Sequence, residues 1–266
     1  MFVIFMINLE RSLLFLQKLK KTSEMTNNSQ KIENNSENGE YFIEADFVVA
    51  SGDYHYIEQN LLDEKFRKYD EKYWENRTFS PSSLLVYLGF DCIIPGLEHH
   101  NLFFDTDFDL HATEIYKTPK WPTEPLFYAC CPSKTDENLA PVGCENVFLL
   151  MPIAPGIVDT ESLRAEYLDK MLERMEKNLN LKLKKHIILK RTFCVTDFEN
   201  DYFSYKGNAY GLANTLFQTA IFKPSLKSKM ENLYFAGQLT VPGPGLPPSL
   251  VSGKIVANEI IKKNSG

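Results

Sequence analysis

The stretch ENLYFAGQLTVPGPGLPPSLVSGK, residues 231–254, constrains this chain more than any other part of it. Leu233 to Ala236 read as a short buried strand that runs straight into Gly237. Pro242, Gly243, Pro244 and Gly245 then rule out regular structure, and the spacing predicts a helix from about Pro247 to Lys262. Pro247 suits a first helical turn, where its missing N–H would be unpaired in any case. Ser249, Gly253 and Ala257 stand four residues apart and make a small-residue stripe, the kind of surface that lets a backbone or a flat ligand approach closely. A strand, a glycine-rich turn and a helix N-terminus together favour negative charge, because the first helical N–H groups lack partners and the peptide dipoles align. Read on spacing alone, the same string is equally a Pro/Gly turn capping an ordinary helix.

The remaining chain holds both strand and helix candidates. Phe47 to Ala50, closed by Ser51 and Gly52, form an apolar run typical of a buried parallel strand. Leu84 to Phe90, Val147 to Met151 and His186 to Leu189 are further strand candidates. The clearest helix follows Asp159, taken as its N-cap, with Leu163, Tyr167, Leu168, Met171, Leu172, Met175 and Leu179 on one face. That stripe reads as core. Residues 9 to 21 suggest an amphipathic helix, Lys21 to Glu40 a solvated linker, and Asp197 to Asn208 a polar, aromatic loop.

Several function classes find no support. A net charge of -6 argues against nucleic acid as a partner. The seven-residue apolar start MFVIFMI is too short to span a bilayer and lacks the flanks of a secretory signal. Five cysteines without a CxxC pair, Cys92, Cys130, Cys131, Cys144 and Cys194, suggest buried thiols in a reducing compartment rather than disulfides or zinc. His99 and His100 should diverge if they share a strand, and neither they nor His111 have a carboxylate at ligand spacing, so no metal is expected. Ser80, Ser82 and Ser83 lack the GxSxG context of a hydrolase.

GQLTVPGPGLPPSLVSGK, residues 237–254, resembles the C-terminal flavin-contacting signature of phytoene desaturases and related carotenoid desaturases, members of the flavin amine-oxidase-like superfamily. The matching positions are Gly237, Thr240, Pro242, Gly243, Gly245 and Pro247, with Gln238 and Leu246 between them. Val241 stands where the family often has His. EADFVVASGDYHYIEQNLL, with Asp53 at the motif aspartate, LAPVGCENVFLLMPIAP, TDFENDYFSYKGNAYGL and QTAIFKP extend the likeness back to residue 41, while residues 1–40 match no recognised segment.

The resemblance implies an α/β fold of the flavin amine-oxidase type, with FAD-domain segments, 41–80 and 225–266, a mixed-sheet substrate domain, 81–224, and 1–40 as an atypical leader and linker. It implies FAD as cofactor, held by Gly237, Gln238, Thr240, Pro242, Gly243, Gly245, Leu246 and Pro247, and a C40 or C30 polyene such as phytoene as substrate. It also implies a cytoplasmic protein resting peripherally on a membrane surface. No GxGxxG unit for the FAD pyrophosphate occurs in these residues. The expectation is therefore a truncated frame or a separate N-terminal desaturase half, which would also supply the sheet neighbours of Phe47 to Ala50. A carotenoid isomerase, a 3,4-desaturase and a non-catalytic isoprenoid-binding remnant are the alternatives.

Overall fold

The computed structural model describes residues 3–6, 32–34, 41–43 and 45–264. The strands are β1 (Val3–Met6), β2 (Ile32–Asn34), β3 (Tyr41–Ile43), β4 (Phe47–Ala50), β5 (Ser82–Phe90), β6 (His100–Phe103), β7 (Phe127–Cys130), β8 (Glu145–Ile153), β9 (Ile187–Phe193) and β10 (Leu233–Phe235). The helices are α1 (Tyr54–Tyr56), α2 (Glu71–Glu75), α3 (Phe108–Tyr116), α4 (Glu161–Leu179), α5 (Val195–Tyr202) and α6 (Leu246–Asn264). The helix expected over residues 9 to 21 lies outside the described residues.

The chain divides into two compact units. The first comprises residues 1–79, 201–205 and 210–266, and the second 80–200 and 206–209. Residues 201–205 and 210–224, grouped with the substrate segment on sequence, lie in this first unit.

In the first unit β4 pairs in parallel with β1 on one side and β10 on the other. Its burial on both faces follows from what covers each. Val48, Ala50, Leu233 and Phe235 pack with Tyr54, Ile57 and Trp74, whereas Phe47, Val49 and Tyr234 pack with Val256 and Ile260 of α6. A strand covered twice must be apolar at consecutive positions, which is why FVVA shows no alternation. One expectation is corrected here. The partner for the far edge of β4, expected from another polypeptide, comes from Val3–Met6 of this chain.

The second unit is built on a five-stranded sheet in the order β6-β7-β8-β5-β9, with every pairing antiparallel. The sheet expected to be mixed in the substrate segment is antiparallel throughout, whereas the first unit holds both kinds of pairing, parallel in β1-β4-β10 and antiparallel in β2-β3. Strict alternation in β8 buries Val147, Leu149, Met151 and Ile153. These side chains meet Tyr167, Leu168, Met171, Leu172 and Met175 of α4 in one cluster. The N-cap of α4 is Thr160, whose hydroxyl accepts from the Leu163 N–H, and not Asp159. Asp159 is used otherwise. Its oxygens accept from the Arg164 guanidinium at 2.7 and 2.5 Å and from the Thr196 N–H and hydroxyl, while Arg164 also reaches Asp197 at 2.7 Å. Burial alone would raise the Asp159 pKa, but the bonds from Arg164 and Thr196 hold it below the usual value. The segment expected as a loop from Asp197 opens instead as α5.

His111 is buried with both ring nitrogens engaged. Nε2 lies 2.8 Å from the Pro152 carbonyl, and the Leu126 N–H donates to Nδ1 at 3.0 Å. That pattern requires the neutral ring, and burial accordingly lowers its pKa. All five cysteines are free. No described helix is long and apolar enough to cross a membrane.

Candidate functional site

The turn between β10 and α6 is held in shape by a closed ring of hydrogen bonds. The Thr240 hydroxyl donates to the Gly237 carbonyl at 2.9 Å, and the Gly237 N–H donates to Ser252 Oγ at 3.0 Å. Thr240 Oγ1 and Ser252 Oγ lie 2.9 Å apart. With the Thr240 proton already committed, Ser252 must donate to Thr240. Both side chains are buried, so the ring ties the end of the strand to the second turn of the helix. Thr240 is a positioning residue, and Ser252, which sequence reading passed over within the small-residue helix, is its partner. Behind the loop Gly211 adopts φ +75, and a Cβ there would come within 3.2 Å of the Gln238 carbonyl oxygen.

Beyond Thr240 the backbone is open in a way only glycine allows. Gly243 and Gly245 adopt φ +136 and +107, a region that side chains disfavour. Pro242, Leu246 and Pro247 are exposed along this stretch, and Gln238 is half-buried. Of the eight residues singled out on sequence, Gly237, Gln238, Thr240, Pro242, Gly243 and Gly245 lie in the loop, and Leu246 and Pro247 open α6. The helix end differs from its expected chemistry in one respect. α6 begins at Leu246, so Pro247 and Pro248 occupy its first turn and contribute no N–H, and the Ser249 N–H is already bonded to the Gly245 carbonyl. The helix supplies dipole here but few free donors.

The positive charge comes from Lys223, a residue that sequence reading quoted within QTAIFKP without assigning it a role. Lys223 is only 5% exposed although its neighbours Ile221 and Phe222 are 88% and 51% exposed, an inversion of normal burial. A Cβ built on Gly243 would lie 3.1 Å from Lys223 Cε and 3.3 Å from Nζ, which places the ammonium against the glycine turn. Among the described residues Nζ has no hydrogen-bond partner, and burial lowers its pKa. A buried, unpaired ammonium is costly. It becomes favourable where an electron-rich or anionic group seats against it. A turn with glycine at 243 and 245, a buried cation beside it and a helix dipole behind it fit the electron-rich pyrimidine edge of a flavin.

Asp53 has a structural task in the same unit. Its carboxylate caps α1 by accepting from the Tyr56 N–H at 2.9 Å and also accepts from the Tyr205 N–H at 3.3 Å. Burial raises its pKa against those bonds.

Residues 9–261 match the family described as flavin containing amine oxidoreductase, and the chain belongs to that family. FAD is the cofactor that membership implies. The match also takes in most of the leader for which no relationship was expected. Over 218 residues the chain is 42% identical to a carotenoid 3,4-desaturase of Haloarcula japonica, a match covering 82% of this chain and 44% of that protein. Over 229 residues it is 34% identical to a 4,4'-diaponeurosporene oxygenase of Staphylococcus aureus, with the same shares covered. Among solved structures it is similar to a putative protoporphyrinogen oxidase from Exiguobacterium sp., with a TM-score of 0.45 and 14% identity over 85% of this chain and 44% of that one. The chain thus spans less than half the length of the curated relatives it matches.

Proposed function

We propose that this chain is the flavin-ring and substrate half of an FAD-dependent carotenoid desaturase acting on a C40 or C30 polyene. The observation that carries the reading is the turn with positive-φ glycines at 243 and 245 and the Lys223 ammonium, unpaired among the described residues, against Gly243. When bound, a flavin would supply the oxidising capacity, accepting a hydride from one carbon of a CH–CH pair while the adjacent carbon loses a proton to solvent and the C=C bond forms. The protein's task is to orient and to set charge. Gly237, Gln238, Thr240, Pro242, Gly243, Gly245, Leu246 and Pro247 shape the face against the ring, with Thr240 acting through its bond to Gly237. Lys223 holds a positive charge beside the turn. The dinucleotide's pyrophosphate and adenosine are held by residues that these segments lack, consistent with a separate N-terminal desaturase half as partner.

Exposed apolar side chains in the segments flanking the turn, Leu216, Phe217, Ile221 and Phe222 on one side and Leu246 and Leu250 on the other, support a surface used by that partner, by polyene or by a membrane face in a peripheral, cytoplasmic enzyme. Identity of 42% to a carotenoid 3,4-desaturase favours a second, narrower reading, in which the substrate is an already conjugated polyene rather than phytoene. Co-production with the N-terminal half of the Haloarcula japonica enzyme tests both. With FAD and polyenes in lipid vesicles, the pair should red-shift polyene absorption, and neither half alone should. A shift with conjugated polyenes only selects the narrower reading. No shift with any C40 or C30 polyene overturns both.

A further inference from the structure

Adjacent histidines in a strand point to opposite faces, yet the rings of His99 and His100 stand with centroids 4.2 Å apart. The reason is local. β6 begins at His100, so His99 lies in the bend before it and is freed from the alternation. Across the ladder His100 pairs directly with Cys130 of β7, and directly opposed residues share a face. One donor atom from each of His99, His100 and Cys130 lies within 4.8 Å of the others.

We propose that His99, His100 and Cys130 form a binding site for a thiophilic divalent cation of the Zn(II) class, unconnected with the flavin site. The ligand chemistry is selective, because two imidazoles and a thiolate suit zinc and cobalt and disfavour the oxygen-seeking Mg(II) and Ca(II). Bond lengths of ~2.0–2.3 Å place tetrahedral ligands about 3.5 Å apart. Small rotations of side chains that are exposed or half-buried bring the three donors to that spacing.

The surroundings orient His99 as a ligand. Its Nδ1 lies 2.6 Å from Thr135 Oγ1, whose own proton is donated to the Pro132 carbonyl at 3.3 Å. Nδ1 must therefore carry the hydrogen and donate to Thr135, which leaves the Nε2 lone pair for a metal, the arrangement typical of histidine ligands. The His99 carbonyl accepts from the Cys131 N–H at 2.8 Å and fixes the backbone. His100 Nδ1 lies 2.5 Å from the Tyr128 hydroxyl and 3.9 Å from Cys130 Sγ, so the ring is held beside the thiol. The site sits at the start of β6, the outermost strand of its sheet, where a bound ion would clamp the edge strand to β7. A second cluster, Asp91, Cys92 and His186, makes a poorer candidate for a thiophilic ion because it offers one imidazole where the first offers two.

Titration of the 266-residue chain with Co(II) tests the site. One equivalent should bind with visible d–d bands and a near-ultraviolet thiolate-to-cobalt band, and Zn(II) should displace it. Cys130→Ser should remove the thiolate band, and His99→Asn should weaken binding at least about tenfold. Thr135→Val, which removes only the orienting hydroxyl, should weaken it about tenfold. Cys92→Ser should change nothing. Circular dichroism of each variant matching the parent keeps these losses local. Absence of a saturable cobalt spectrum, a thiolate band that survives Cys130→Ser, or one lost in Cys92→Ser overturns the assignment.

Discussion

The two units treat buried charge in opposite ways. In the second, each of the principal buried charges is matched. Arg164 is clasped by Asp159 and Asp197, and Glu145 takes Lys134 at 2.6 Å and the Ile94 N–H at 2.9 Å. In the first, Glu58 is fully buried with only the Lys68 and Tyr69 N–H groups as hydrogen-bond partners, and Lys223 has none among the described residues. A unit whose ions are paired is finished as a scaffold. One that holds an ammonium unpaired beside a bare glycine turn carries a cost that a ligand can relieve.

Each unit has its own reporter, Trp74 in the first and Trp121 in the second, so Trp→Phe backgrounds separate their unfolding. The largest effect should come from Arg164→Ala. It strands Asp159 and Asp197 and should cost about 3–5 kcal/mol, read as an earlier denaturant midpoint for Trp121 fluorescence with Trp74 less affected. An unchanged Trp121 transition would show that the triad is not the scaffold element argued above.

Glu58 should give a smaller effect with a pH signature. Burial pushes its pKa up to about 7 against the lowering influence of its two backbone donors and of Lys229 and Lys68. A carboxyl that binds its proton more tightly when folded makes stability fall as pH rises from the unfolded value near 4.5 through about 7, with the cost fully present above that. The fall should be on the order of 3 kcal/mol and should be absent in Glu58→Gln. A Trp74 transition with the same pH slope in both proteins would contradict it.

Lys223→Met should work in the reverse direction from Arg164→Ala. Removing an ammonium that has no partner, while keeping the packing of its stem, should raise the stability of the first unit by about 1–2 kcal/mol. Loss of stability would mean that Lys223 is a structural cation and would remove the contrast between the units.

What could be read from sequence follows the same division. In the second unit the alternation of β8 and the stripe of α4 are periodic, so the middle of each buried face was legible, Tyr167, Leu168, Met171, Leu172 and Met175 in α4. Leu163 and Leu179 at the ends of that stripe are half-buried, and the buried Arg164 lies outside the apolar pattern. α5 was not legible, because TDFENDY is polar enough to pass for a loop, and its first turn is anchored by the Asp197 carboxylate accepting from the Cys194 N–H. In the first unit β10, the turn and α6 were legible from glycine and proline placement. β1 was not, since four apolar residues show neither period nor boundary. Lys223 escaped for a physical reason: hydropathy assumes that Ile and Phe go inside and Lys outside, and residues 221–223 do the reverse.

The most direct test of the central claim is flavin binding by the 266-residue chain itself. If residues 237–247 and Lys223 contact only the ring, then FAD, FMN and riboflavin should bind with similar, weak affinity, followed by quenching of flavin fluorescence. Most dinucleotide affinity lies in pyrophosphate and ribose contacts, which these residues do not make. Gly243→Val, whose added side chain collides with Lys223, should abolish binding of all three, and Lys223→Met should weaken all three equally by about tenfold, the scale of one charge-assisted contact. A tight, stoichiometric complex with FAD that excludes riboflavin, or binding untouched by Gly243→Val, would contradict the account.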